Sequence, residues 1–432
     1  MRSPTVSTKI RQIAEQAKQY PERVFTTLAY LIDVEFLKEA FRKTRKGGAT
    51  GIDKVTAAEY EANLDENLQD LLQRMRSGLY KAPPVLRKWL KKEDGSQRPI
   101  GVPTFEDKIA QRAVAMLLGA VYEEDFYDFS YGFRPGRKPH DALHELREQS
   151  MGMKIGWILD ADISGFFDSI DHAQLREVLR KRVNDGETVR LVGKWLQAGV
   201  LEGDVLSYSD TGTPQGGVIS PMLANIFLHT VLDEWFDQVV RPRMRGRCFM
   251  VRFADDFVIG FEREDDAKRV MAVVPKRFAK YGLRIHPDKT KLIPFQKPSS
   301  RQDKPEEPET FTFLGLTHFW AKSRRGYWVI KRKTASKRLK RAARAFWVWC
   351  RNNRHAPIQE QYRMLCSKLR GHYQYYGIRG NISSLEKLFH RVQRMWKYWL
   401  SRRSHKGYMN WDKFVKSLQY LPLPTPRIVH SI

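Results

Sequence analysis

The chain has 432 residues, enough for about two to four packed units, and its composition, 42% hydrophobic and 29% charged, excludes a basic disordered tail. Lys and Arg number 76 against 49 Asp and Glu, a net charge of +27, which points to a polyanionic partner because each phosphate neutralised releases condensed counterions. No apolar run reaches the roughly 18 to 20 uncharged residues of a spanning helix and MRSPTVSTKIRQ lacks the apolar segment of a secretory signal, so no membrane is expected and the protein reads as cytoplasmic.

Residues 1–80 read mainly as helices, joined by a loop at Gly47–Asp53 whose glycines relax the backbone. In APPVLRKWLKKEDGSQRPIGVPT, Pro83 and Pro84 precede a strand, Glu93, Asp94 and Gly95 turn the chain, and a second strand completes a basic hairpin. From Asp107 the residues Ile109, Ala113, Met116, Leu117, Ala120 and Val121 fall at helical spacing. WILDADISGFFDSI and CFMVRFADDFVIGF read as strands, and between them GTPQGGVISPMLANIFLH turns and becomes an apolar helix. Residues 296–310, QKPSSRQDKPEEPET, read as a linker, after which TFLGLTHF resumes as a strand, and this part of the chain ends near residue 320.

Beyond that point a helix carries Leu339, Ala342, Ala343, Phe346 and Cys350 on one face and Lys337, Lys340, Arg341 and Arg344 on the other. A lone basic face is usually a solvated one; in a chain this basic it reads better as a grip on a nucleic-acid backbone. Cys248, Cys350 and Cys366 lie far apart without a Cys-x-x-Cys pair, and are read as reduced and buried.

The two acidic strands carry the chemistry. Phosphoryl transfer by two magnesium ions needs carboxylates on rigid neighbouring strands, because the ions lie only about 3.5 to 4 Å apart. Asp255 and Asp256 sit between apolar runs, where two ionised carboxylates are costly without cations nearby. Side chains alternate along a strand, so one of the pair is the main ligand; the same period puts Asp160 and Asp162 on one face and leaves the choice between them open. Asp168 and Asp171 read equally well as turn or cap residues.

LDADISGFFDSI, GTPQGGVISPMLANIFLH and FADDFVIG resemble three successive polymerase motifs of the reverse transcriptases encoded by bacterial group II introns. RPIGVPTFEDKIAQRAV, SYGFRPGRKPHDAL, HPDKTKL and FLGL resemble further blocks of that family in the same order, so the likeness covers nearly the whole chain. The resemblance implies an α+β right-hand polymerase, with fingers and an antiparallel-sheet palm over 81–320, an N-terminal helical extension over 1–80, and a helical thumb/maturase domain over 321–432. It implies an RNA-directed DNA polymerase working with two Mg2+ ions, Mn2+ being a substitute, and a maturase role in splicing and retromobility. Its partners would be an RNA template, the group II intron RNA, a DNA primer or target, and deoxynucleoside triphosphates; the oligomeric state stays open.

Carried over by motif, Asp162, Asp255 and Asp256 are the catalytic metal ligands and the carbonyl of Ile163 completes the shell. Phe167 lies under the sugar and excludes a 2′-hydroxyl, Lys92 and Arg98 clasp the triphosphate, Gln215 supports the nucleotide from the opposite wall, and Lys289 protonates the leaving pyrophosphate. Phe253 stands where the family usually has Tyr, which removes any hydrogen bond that hydroxyl makes. LRGHYQYYGI resembles the thumb and maturase region, where Arg370 and Tyr373 read either as RNA contacts or, for the tyrosine, as packed helix core. No Cys-rich or His-rich module follows PRIVHSI, so no DNA cutting is expected. A maturase with a decayed polymerase site would have lost one of Asp162, Asp255, Asp256 or Gln215, and all four are present. A relative recruited to phage defence or DNA repair would share these residues and differ only in genomic surroundings.

Overall fold

The computed structural model describes residues 5–432 apart from 92–96, 204, 210, 213–215, 299–308 and 405–407. Lys92, Gln215 and most of the linker-like stretch 296–310 therefore lie outside the described residues. The chain divides into two compact units, one of Met1–Lys138, Leu159–Ile259 and Glu264–Leu292, the other of Pro139–Ile158, Gly260–Arg263 and Ile293–Ile432.

The first unit opens on helices α1 (Val6–Gln19), α2 (Val34–Lys43), α3 (Ala57–Glu61) and α4 (Leu64–Arg76). Their starts are set by side-chain caps: Thr5, Asp33 and Thr56 each accept a backbone N–H three residues on, and Thr56 with Glu59 forms a capping box. Phe36, Leu37, Ala40 and Phe41 form the buried stripe of α2. Next come β1 (Val85–Lys91) and β2 (Gln97–Val102), antiparallel in a register that sets Leu90 opposite Arg98, then α5 (Phe105–Asp125). Against α5, which is apolar on most sides, pack α1 and α2.

After α6 (Pro139–Gly152) come β3 (Trp157–Ala161), α7 (Phe166–Ser169), α8 (His172–Arg180), α9 (Gly186–Leu196), β4 (Val200–Glu202) and β5 (Val205–Ser207). Then α10 (Ser220–Leu228), begun by Pro221 in its first turn, runs into two wider π-helical turns, His229–Asp233 and Phe236–Val240. β6 (Cys248–Phe253), β7 (Asp256–Phe261), α11 (Glu264–Ala279) and β8 (Lys291–Pro294) follow. Two four-stranded sheets result, in the orders β2-β1-β4-β5 and β6-β7-β3-β8.

In the second unit β9 (Phe311–Phe313), β10 (Leu316–Lys322) and β11 (Trp328–Thr334) make an antiparallel sheet in the order β11-β10-β9. Helices α12 (Ser336–Asn352), α13 (Ile358–Tyr376), α14 (Ile382–Leu400) and α15 (Trp411–Tyr420) close on a core that includes Phe346, Cys350, Leu369, Trp396 and Phe414. All three cysteines are buried and free. Among the described residues no helix is long and apolar enough to cross a membrane.

Candidate active site

β3 and β7 are neighbours in their sheet, which brings the two acidic segments together. Asp160 is the fourth residue of β3 and Asp162 follows its end; Asp255 occupies the two-residue turn between β6 and β7, and Asp256 begins β7. Asp162 and Asp255 are half-buried, and Asp256 is exposed. Just past β3, Ile163 faces Ile285 in an antiparallel bridge whose flanking bonds run from the His286 N–H to the Asp162 carbonyl and from the Ser164 N–H to the Arg284 carbonyl, both 2.8 Å. Ile163 is thus the non-hydrogen-bonded member of the pair, and its carbonyl points off that ladder.

The acids repel one another. Burial, then Asp256 and Asp162, push the Asp160 carboxyl up to about 7, with Lys291 acting against them. Burial also raises Asp255, with Asp162 adding to the shift and Arg98 and Arg252 opposing it. Arg98, exposed near the tip of the β1–β2 hairpin, is therefore close enough to feel Asp255. Lys289 Nζ pairs with Asp162 Oδ2 at 2.6 Å. These hard oxygen donors in mutual repulsion suit divalent cations, although among the described residues no three His, Cys, Asp or Glu side chains already converge as a metal cluster.

The turn that carries Asp255 is held from behind. Ala254 has φ +58°, a left-handed conformation that costs a non-glycine residue about 1 to 2 kcal/mol. Its carbonyl accepts a 3.0 Å bond from Arg252 Nη1. That guanidinium, fully buried, also reaches Asp233 Oδ1 (2.7 Å) and Oδ2 (2.5 Å), Asn225 Oδ1 (3.0 Å) and Ser130 Oγ (2.7 Å), five bonds for its five N–H protons. Asn225 Nδ2 in turn holds the carbonyl of Gly132 at 2.7 Å, and Gly132 lies so close under Ala254 that a Cβ there would collide with the Ala254 backbone. Sequence reasoning missed this support; the one available signal was a charged residue inside the apolar run CFMVRF.

A second buried network braces the segment 216–219. Asp107, pushed up to about 6 by burial, accepts from Tyr80, from Trp195 Nε1 (2.9 Å) and from Gln111 Nε2 (2.9 Å). Gln111 Oε1 then accepts the Val218 N–H at 2.8 Å. Gly216, at φ +112°, would set a Cβ 2.5 Å from the Gly101 carbonyl, so only glycine brings this loop against β2. Phe167 is buried on α7 in an edge contact with Phe166.

In the second unit Lys337, Lys340, Arg341 and Arg344 are all exposed on α12, while Ala343, Phe346 and Cys350 face its core. Arg370 is exposed on α13. Tyr373 is only 1% exposed and gives its hydroxyl to the Pro424 carbonyl at 3.1 Å. Of its two readings the burial supports packed core, because a ring so enclosed has no face for a base.

Residues 90–318, which include both acidic strands, β2 and the segment 216–219, match the reverse transcriptase (RNA-dependent DNA polymerase) family. The chain belongs to that family. Among curated proteins it is 32% identical over 363 residues to protein YkfC of Escherichia coli, covering 74% of this chain and 90% of YkfC. It is 36% identical over 241 residues to the group II intron-encoded protein LtrA of Lactococcus lactis subsp. cremoris, and 30% identical over 241 residues to a 91 kDa protein in the cob intron of Schizosaccharomyces pombe. Each of these matches covers 55% of the chain, and they span 39% and 30% of the respective relatives. Within the family the chain thus stands with the group II intron reverse transcriptase/maturases.

Proposed function

We propose that this chain copies RNA into DNA at the site formed by β3 and the β6–β7 turn, and that it also binds and helps splice a group II intron RNA. The observation that carries the reading is the placement of Asp160 and Asp162 beside Asp255 and Asp256 on neighbouring strands, close enough for the carboxylates to perturb one another. Asp162, Asp255 and Asp256, with the Ile163 carbonyl, would hold two Mg2+ ions, for which Mn2+ can substitute. Bound there, the ions supply Lewis-acid stabilisation of charge on the transferring phosphoryl group.

The chain's own residues do the rest in this reading. Arg98 and Lys92 bind the triphosphate, a bidentate fork beside a point charge. Phe167 is a rigid wall under the sugar and selects deoxynucleotides, and Gln215 closes the opposite side. Lys289, already paired with Asp162, carries a proton for the leaving pyrophosphate. Residues 81–320 would serve as fingers and palm, 1–80 as the fingers' extension, and 321–432 as the helical thumb and maturase domain. There the exposed cations of α12 and Arg370 would grip RNA; Tyr373 would pack the core.

Primer extension on an RNA template with Mg2+ and deoxynucleotides tests the reading. Extension by the wild type that disappears in Asp255→Ala is the expected result. Tight RNA binding by the wild type without any extension would leave a maturase alone.

A further inference from the structure

The first unit has a groove between α8 and α9 of about 400 Å³, none of whose lining residues belongs to the acidic strands. Arg176 and Arg180 from α8 and Arg190 and Lys194 from α9 line it, together with the amides of Asn184 and Gln197. No acid is among the described residues of its wall. Arg180 and Arg190 are exposed, and neither they nor Arg176 forms a salt bridge among the described residues. A Cβ on Gly186 or Gly193 would meet nothing within 4 Å, so the groove is open on the side of both glycines.

The charges are held rather than scattered. Lys194 Nζ donates to the carbonyls of Gly78 (2.7 Å) and Tyr80 (2.5 Å), which fixes its ammonium at the wall. Burial, the largest cause, and then the nearby charges of Arg190 and Lys81 lower its proton affinity below that of an ordinary lysine. Asp185, the nearby N-cap of α9, is turned inward, where its carboxylate accepts from the backbone of Leu28 and Thr188. Glu187 senses Arg190 but is not part of the wall. Like charges gathered in one concavity raise the free energy of the folded protein unless a polyanion fills it.

We infer that the α8–α9 groove is a second RNA site, which binds the phosphodiester backbone of a folded RNA outside the primer–template path. Planar guanidinium forks from both helices lining one open groove suit consecutive phosphates and make no demand on base sequence. The inference rests on the reading of the chain as an RNA-binding polymerase.

Its test compares the full chain with an Arg176→Gln/Arg180→Gln/Arg190→Gln variant in two assays: affinity for a folded group II intron transcript across a salt series, and extension of a short DNA primer on an unstructured RNA template. The slope of log affinity against log salt should fall by about 2 to 3 in the variant, at roughly 0.7 to 0.9 for each phosphate no longer neutralised, while short-template extension keeps its wild-type rate. The all-Lys triple variant, which keeps the charge, should regain most of the slope. If the triple variant folds poorly, Arg180→Gln/Arg190→Gln alone, both at exposed positions, should show about two thirds of the change. An unchanged slope, or extension that falls in step with affinity, overturns the inference. Failure of the wild type itself to bind the transcript would instead overturn the proposed function.

Discussion

The Arg252–Asp233 pair offers a way to separate holding the protein together from holding the active-site turn. Both side chains are fully buried, and Asp233 takes two of the five guanidinium bonds. Removing one partner leaves an uncompensated charge in the core, at a cost of about 3 to 5 kcal/mol, so Arg252→Met and Asp233→Leu should each lower the melting temperature sharply. Replacing both with apolar residues of similar volume removes the buried charges together, but Asn225 Oδ1, Ser130 Oγ and the Ala254 carbonyl then lose their donor, so the double variant should recover part of the loss.

Activity should not recover with it. The bond from Arg252 Nη1 to the Ala254 carbonyl, charge-assisted and 3.0 Å long, is worth about 1.5 to 3 kcal/mol and secures a residue at φ +58°. Without it the turn bearing Asp255 leaves its working geometry, and the same energy corresponds to a fall in kcat of roughly 10- to 150-fold. KM for the deoxynucleotide should change little, since Arg98 and Phe167, which we propose hold the nucleotide, are untouched. Melting curves and steady-state primer extension on wild type, both single variants and the double variant give the answer. A double variant that is both stable and fully active would refute the positioning role and leave the network purely structural.

Three further outcomes follow from the same structure. Gly132→Ala, which drives a Cβ into the Ala254 backbone, should cost about 1 to 3 kcal/mol of stability and reduce extension more than tenfold, read by melting and primer extension. His318, stacked on Phe311 and fully enclosed, is held down to about 3 from 6.5 by burial and then by Arg332. The folded state thus binds fewer protons than the unfolded chain, so this histidine's contribution is complete above about pH 6.5 and is lost as pH falls towards 3; His318→Phe should flatten the fall in melting temperature between those values by one proton's worth. Alanine at Lys337, Lys340, Arg341 and Arg344 should lower the salt slope of RNA binding by about 3 to 4; a slope equal to that of the wild type would mark α12 as a solvated face.

The sequence made some of this architecture legible and hid the rest, and the division has a physical cause. Carboxylates inside apolar strands, the i, i+3, i+4 spacing of α5 and the two-faced pattern of α12 are local signals, and each corresponds to an element: β3 and β7, α5, and a helix with Ala343, Phe346 and Cys350 inward. Periodicity names a face but not the partner that covers it. It gave Asp160 and Asp162 the same standing, and what distinguishes them arises from distant chain: Lys289 pairs with Asp162, whereas burial and then Asp256 and Asp162 act on Asp160, opposed by Lys291. Tyr373 was equally ambiguous, because an aromatic beside His and Arg looks the same in sequence whether its ring meets a base or Pro424. The supporting shell was the least visible. Asp107 draws on Tyr80 and Trp195, and Arg252 on Ser130, Asn225 and Asp233, so no window of sequence contains a whole network. What a sequence can show is the anomaly such a network leaves behind: an Arg in the middle of CFMVRF has to be paired if that strand is buried, and the strand is buried on both faces along nearly its whole length. That anomaly points to the residue whose removal should silence Asp255 without touching it.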